Sequence, residues 1–418
     1  MARDSKYPVS VKAGKPTLSS RPHGWHLISL EKCLNVENRK VDVLDDQEYD
    51  LVTVKRSRGG VVRREHLKGK DISVKSQFYI HEGDFLISKR QIVHGACGIV
   101  PKKLSGSIVS NEYCVMTGKP GFHLPYMEFL SETLYFQQTC FHSSIGVHIE
   151  KMIFKVENWF KWLFNIPPIS EQKKIANILS TWDKAINTTE RLLANSQQQK
   201  KALMQQLLTG KKRLNGYSGA FKRYHFSDLL KIDSKSLGTK TDPDFEFDYI
   251  SLSDVELGKI GSVLEHHVYK NAPSRARRIV KAGDILLSTV RPNLQGFAKI
   301  SNPHENCIAS TGFSVLTPKK GTCGDYIYHY LFSAHITGQI NSLVVGTNYP
   351  AINSSDVSGL CIYCPCYDEQ VKIAAILNNS DATIIALQQK LDALKQEKKA
   401  LMQQLLTGKR RVKVDVAA

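Results

Sequence analysis

The chain repeats itself. Residues 171–214 align without a gap on 369–412, an offset of 198, and the run KKALMQQLLTGK stands unchanged at 200–211 and 398–409. Self-similarity of this kind fixes the architecture before any local reading does, because both copies must fold as the same unit. In the first copy Ile175, Leu179, Trp182, Ile186, Thr189, Leu193, Ser196, Lys200, Leu203 and Leu207 follow alternating steps of four and three. The second supplies Ile373, Leu377, Ser380, Ile384, Leu387, Leu391, Leu394, Lys398, Leu401 and Leu405. Heptad spacing predicts long helices whose apolar stripe is too narrow for a globular core, so each needs a second long helix to cover it. Their ends are marked as well. Pro167, Pro168 and Ser170 precede the first, while Gly210 and Gly408, each followed by Lys and Arg, suit a left-handed cap at the negative end of the helix dipole. Roughly 36 residues at ~1.5 Å each make a rod of about 55 Å.

The duplication extends beyond the helices. Gly83, Asp84, Leu86 and Ser88 match Gly283, Asp284, Leu286 and Ser288, and Ser110, Tyr113 and Val115 match Ser310, Phe313 and Val315, all at an offset of 200. The whole half-chain is therefore repeated. β-Branched and aromatic runs at 49–54, 108–116, 247–252 and 307–316 predict strands, and amphipathic stretches near 126–133 and 325–335 predict one short helix in each half. The expected fold is α+β: domains at 24–166 and 213–366, helices at 167–212 and 367–410, a flexible basic arm over 1–23, a tail at 411–418, and a linker at 211–219. A half-chain that folds back on its own duplicate acquires a pseudo-two-fold axis, which predicts an antiparallel coiled coil with the two domains at its opposite ends.

Charge narrows the partner. With 57 Lys and Arg against 39 Asp and Glu, the 418-residue chain carries a formal +18, which calls for a polyanion. Nucleic acid is favoured over a membrane, since no run approaches the ~20 apolar residues of a spanning helix. Nine scattered cysteines without a secretory leader suit a reducing cytoplasm, and the trio Cys361, Cys364 and Cys366 lacks the companions of a zinc site.

Two α+β domains, each feeding a helix that begins with Glu-Gln and closes on LLTGK, resemble the specificity subunit of Type I restriction-modification systems. Further motifs carry the likeness: GWHLISL at 24–30, GDFLIS and GDILLS, STVRPNLQGFA at 288–298, GTNYPAINSSDV at 346–357, and the helix starts PPISEQKKIA and DEQVKIAAIL. The second domain departs from the pattern, opening with FKRYHFSDLL at 221–230 and lacking Gly-Trp. The resemblance implies that each domain is a target recognition domain reading one half of a split, asymmetric sequence in double-stranded DNA. It also implies that the helices bind two methyltransferase subunits, that restriction subunits join them, and that S-adenosylmethionine, ATP and Mg reside on those partners. The chain itself is expected to bind no cofactor and no metal.

Affinity should come from cations at phosphates. Lys55, Arg56, Arg58, Arg63, Arg64, Lys68 and Lys70 form the densest basic stretch, opposed only by Glu65, with Gly59 and Gly60 suggesting a hairpin loop. Base reading needs donors and acceptors on loops beyond rigid strands, which singles out Ser88, Lys89, Arg90, Gln91 and His94 at and after the first Gly-Asp strand and Arg291, Asn293 and Gln295 after the second. Lys270, Arg275, Arg277 and Arg278 form a second basic group, and Asn348 with Tyr349 sit in a further loop. Exposed Gln205, Gln206, Gln403 and Gln404, near the helix ends, are the candidates for docking protein partners.

Catalytic hardware does not appear at workable spacing. Asn165-Ile166-Pro167-Pro168 has an insertion and no aromatic where an amino-methyltransferase needs its base-holding loop; it reads as the approach to the helix. Gly118-Lys119 and Gly210-Lys211 lack the rest of a phosphate-cradling loop, and the acids Asp244 and Glu246 are followed by Phe247 and Asp248 rather than by a nuclease lysine. The rival from another class is a basic coiled-coil scaffold for protein partners or RNA, which would show salt-dependent binding without sequence preference in duplex DNA.

Overall fold

Both heptad segments form unbroken helices of 39 residues, Ile169–Leu207 and Tyr367–Leu405, in the computed structural model, which describes residues 8–344 and 350–414. The chain resolves into two compact units, and the boundary between them falls inside both helices. One runs up to Thr188 and resumes at Leu391; the other is Thr189–Lys390. The helices are thus shared between the units rather than forming separate segments, as the sequence division at 166 and 212 had them.

Within the first unit Ile175, Ala176 and Leu179 lie in one core with Leu405 and Leu406, and Asp183 accepts from Lys398 Nζ at 2.6 Å. Within the second, Leu207 and Leu208 meet Ile373, Ala374 and Leu377, and Asp381 accepts from Lys200 Nζ at 2.5 Å. Numbers rise on one helix as they fall on the other, so the pairing is antiparallel in each unit. Ile186, Thr189, Leu193 and Leu391 are buried as the heptad requires. Lys200 and Lys398 occupy seam positions that should be apolar, and each is answered by an aspartate displaced by 198 from the other's. A charge in the seam is stable only opposite its counter-charge, so these pairs set the register.

Among the described residues each unit carries two larger sheets packed on one another, beside smaller two-stranded ones. In the first, strands Lys40–Val41, Gln77–Tyr79, Ile108–Ser110, Glu48–Val54 and Val61–Lys68 form one sheet in that order. Leu34–Glu37, Tyr113–Gly118, Phe85–Ser88 and Cys97–Ile99 form the other. The second unit pairs the sheet Glu265–Val268, Glu246–Ile250, Ile308–Ser310, Ala276–Ile279 with Leu230–Ile232, Phe313–Pro318, Ile285–Ser288, Phe297–Lys299. Strand Phe85–Ser88 is buried on both faces: Leu86 packs with Val109 and Val115, while Phe85 and Ile87 face the helices. Leu286 and the pair Ile285 and Leu287 repeat this arrangement. That double burial is why the motif reads as a continuous apolar run instead of alternating.

The Gly-Asp step is the turn that launches this strand. Gly83 and Gly283 stand at φ of +85° and +91°, and the amides of His81 and Lys281 donate to the carboxylates of Asp84 and Asp284 at 2.7 and 2.9 Å.

Several expectations need correction. The apolar runs 108–116 and 307–316 are not single strands. Each breaks after a serine, Ser110 or Ser310, and passes from one sheet to the other at Tyr113 or Phe313. The short helix expected in each half is a pair, Tyr126–Leu130 with Leu134–His142 and Gly324–Leu331 with Ala334–Leu343. Thr133 and Ser333 divide them, their hydroxyls accepting from the amides of Phe136 and Ile336.

The arm is not free where it is described. Ser10 is fully buried, Gln138 Nε2 donates to Gly14 O at 3.0 Å, and Asn165 Nδ2 donates to Ser19 O at 2.9 Å. Side-chain donors of the first domain capture its backbone carbonyls. The linker at 211–219 is docked too, because Arg213 is pinned to Glu369 and Leu214 packs against the second unit's core.

Candidate nucleic-acid interface

In the first domain the basic stretch folds as the hairpin Glu48–Val54 and Val61–Lys68, closed by Lys55 N donating to Gly60 O at 3.0 Å. Ser57 and Arg58 take left-handed backbone in its loop. That loop lies on the segment after the Gly-Asp strand, since Ser57 N donates to His94 O at 2.7 Å and Arg58 N to Gly95 O at 3.0 Å. The two candidate groups separated by some 35 residues of sequence are therefore one surface.

Their side chains differ in availability. Lys55 is exposed. Arg56, half exposed, donates to Gln91 Oε1 at 2.7 Å and to Glu150 Oε2 at 2.5 Å. Arg63 pairs with Asp50 at 2.9 Å, and Arg90 makes two bonds to Glu112 at 2.5 and 3.2 Å, both from exposed positions that a phosphate could compete for. Lys89 Nζ donates to Asn111 O at 2.6 Å.

Arg58 and His94 are engaged in the fold instead. Arg58 gives both Nε and Nη2 to Ser131 O at 3.1 and 2.6 Å, locking the hairpin loop to the helical layer. The His94 side chain is only 10% exposed and lies 3.2 Å from Glu150; burial, and then the charge of Arg56, pull its basicity below that of an ordinary imidazole. A covered ring beside a carboxylate is poorly placed to meet a nucleic acid.

In the second domain Lys270 Nζ donates to Asp244 at 2.7 Å from an exposed site. Arg277 lies over the Tyr269 ring, 5.0 Å from its centroid, and donates to Ala276 O at 2.7 Å, so its guanidinium is held against the domain. Its neighbour Arg278 closes on Asp233 at 3.0 Å. Gln295 donates to Thr337 Oγ1 at 3.2 Å and so braces its loop from within. Arg291 and Asn293 are exposed on that loop. Asn348 and Tyr349 lie outside the described residues.

The sequence reading missed two features that the same 198-to-200 offset would have revealed. The first is a cross-strand pair on an outer strand of each domain: His66 Nδ1 stands 2.6 Å from Asp50, and His266 Nδ1 stands 2.9 Å from Asp248. Glu48 and Glu246 flank the other ring nitrogen, and these carboxylates, the Asp hydrogen bond first, raise both imidazoles above their usual range. The second is a clasp at each helix start. Buried Glu369 receives Arg213 at 2.6 and 3.0 Å, with the guanidinium over Phe221; buried Glu171 receives Arg411, with Trp25 Nε1 donating at 3.3 Å. Phe221 thus stands where the first domain has its Trp. The following Gln172 and Gln370 bind Pro167 O and Pro365 O at 2.8 and 3.0 Å, which explains why Glu-Gln opens both helices.

Gln205, Gln206, Gln403 and Gln404 are exposed on the last helical turns. Gln403 borders an open groove of about 940 Å³ in the first unit, whose apolar lining includes Leu130, Tyr135, Phe164, Ile186, Met402 and Leu406.

Comparison with known proteins finds the family described as Type I restriction modification DNA specificity domain matching twice, at residues 22–195 and 221–396. The chain is similar to the Type I restriction enzyme MjaVIII specificity subunit of Methanocaldococcus jannaschii, 24% identical over 432 residues and 94% of each chain. Its fold is similar to that of the Type-I restriction-modification S subunit from M. genitalium, with a TM-score of 0.60 at 12% identity over 94% of this chain and 98% of that one. The HsdS subunit from Thermoanaerobacter tengcongensis gives a TM-score of 0.50 at 17% identity, over 94% and 99%.

Proposed function

Because the chain belongs to the Type I restriction modification DNA specificity family, we propose that its two domains each read one half of a bipartite, asymmetric DNA target and that the paired helices set the distance between the halves. Its function is DNA sequence specificity. The observation that carries the bipartite reading is the duplication of a whole half-chain with unlike residues on equivalent loops, Arg90, Gln91 and His94 in one and Val290, Arg291 and Leu294 in the other. Lys55, Arg56, Arg63, Lys89, Arg90, Lys270, Arg291 and Asn293 are proposed to meet phosphates and base edges.

The chain is proposed to be non-catalytic. Two methyltransferase subunits carrying S-adenosylmethionine would modify adenine, and restriction subunits would bring ATP and Mg. Such a complex acts on DNA in the cytoplasm; no helix among the described residues is long and apolar enough to cross a membrane. Sequencing the methylome of cells with and without this chain tests the reading. A two-part adenine motif should vanish when the chain is removed, and an unaltered methylome would refute it.

Docking is assigned to the exposed glutamines at the helix ends. Replacing Gln205, Gln206, Gln403 and Gln404 together by alanine should reduce co-purification of methyltransferase subunits severalfold while any methylation that persists keeps its motif. Undiminished recovery of the partners would place the docking surface elsewhere.

A further inference from the structure

The geometry points to Leu294 as a base-reading residue of the second domain, making an apolar contact with the C5-methyl group of a thymine in the half-site; this rests on the DNA-reading role proposed above. Equivalent loops in the two domains end differently. In the first, the turn Ile92–His94 is roofed by the hairpin loop through the Ser57 and Arg58 amides, and the side chain at its tip, His94, is covered. In the second, the equivalent turn Pro292–Leu294 carries at that same tip a leucine that is 64% exposed. No hydrophobic requirement of the fold places a leucine there.

The loop that displays it is braced. Arg291 and Gln295, which bracket the turn, both adopt left-handed backbone at φ of +49° and +52° without being glycine. Such strain persists only where the surroundings over-determine it, and it concentrates at sites of function. Arg291 N donates to Pro350 O at 2.7 Å, Ser288 Oγ to Val290 O at 2.6 Å, and Gln295 Nε2 to Thr337. Leu294 is therefore presented on a fixed support beside exposed Arg291 and Asn293. An apolar tip among hydrogen-bonding and cationic neighbours matches the major-groove face of an A·T pair, where adenine offers a donor and an acceptor to an amide and thymine offers a methyl group.

The test uses the full chain assembled with its partner subunits and duplexes carrying its methylated motif. Each thymine of the second half-site is replaced in turn by deoxyuridine, which removes only the methyl group. One position should weaken binding by wild type about fourfold, the value of one buried methyl-sized group. With Leu294→Ala the same replacement should change nothing further, the signature of a direct contact in a two-by-two cycle. Leu257→Ala, at a comparably exposed leucine (70%) next to Glu256 in the same domain, should leave the response of wild type intact.

Uniform insensitivity to deoxyuridine, a half-site without thymine, or equal losses in wild type and Leu294→Ala each overturn the proposal and leave the DNA-reading role standing. Brightening of 2-aminopurine in the half-site that depends on Leu294 also overturns it, since the leucine would then be inserted between stacked bases. If no duplex is preferred at all, the parent reading fails with it.

Discussion

Adding one heptad to both long helices, within 192–199 and 390–397, lengthens the preferred spacer between half-sites by about three base pairs. Seven residues extend a helix by about 10.5 Å, and base pairs rise ~3.4 Å apart. A heptad, inserted twice, is chosen because it preserves the phase of the apolar stripe. It also lies between Asp183 and Lys200 on one helix and between Asp381 and Lys398 on the other, so both inter-helix ion pairs keep their partners. An insertion in one helix alone would leave the seam unmatched and should cost assembly instead. The readout is the methylation motif recovered from cells carrying the variant: each half-site should be unchanged and only the gap altered. A variant that methylates efficiently at the original spacing would remove the ruler from the mechanism.

Arg213→Ala should destabilise the second unit by about 3 kcal/mol, the lower end of the cost of breaking a buried ion pair. Glu369 is wholly buried, and Arg213, itself 23% exposed, supplies two of its hydrogen bonds; the Leu214 amide at 3.4 Å is a weak substitute. Truncation leaves a buried carboxylate without its counter-charge. Restoring neutrality with Glu369→Gln in the same chain should recover part of the loss, which a simple packing defect would not do. Arg411→Ala, at the equivalent clasp, should cost less because that guanidinium is 40% exposed and Trp25 still donates to Glu171. Thermal melts of the four proteins decide this, and a melting temperature for Arg213→Ala equal to wild type would show that water replaces the arginine without penalty.

The helices and the duplication were legible because period and repeat are properties of the sequence alone. Ile175, Leu179 and Leu193 are buried where heptad spacing puts them, and Gly83 and Gly283 take the turn that their pairing with aspartate suggested. The candidate binding surface was legible only as a composition of cations. Arg58 and Arg56 are two residues apart, yet one is spent on a backbone carbonyl of a helix more than 70 residues away while the other stays half exposed. The arm was misjudged for a related reason: its carbonyls are held by Gln138 and Asn165, partners that no local pattern could nominate.

The sequence by itself therefore determined the periodicity, the two-fold repetition and the strongly positive charge, all of which follow from residue spacing and count. Tertiary structure decided which cations remain available, which tip is covered and which is bare, and how Lys200 and Lys398 could sit inside an apolar seam. The physical reason is distance along the chain. A hydrogen bond or ion pair is made across space, and Lys398 meets Asp183 across 215 residues, so its effect on either residue is invisible until the fold brings them to 2.6 Å.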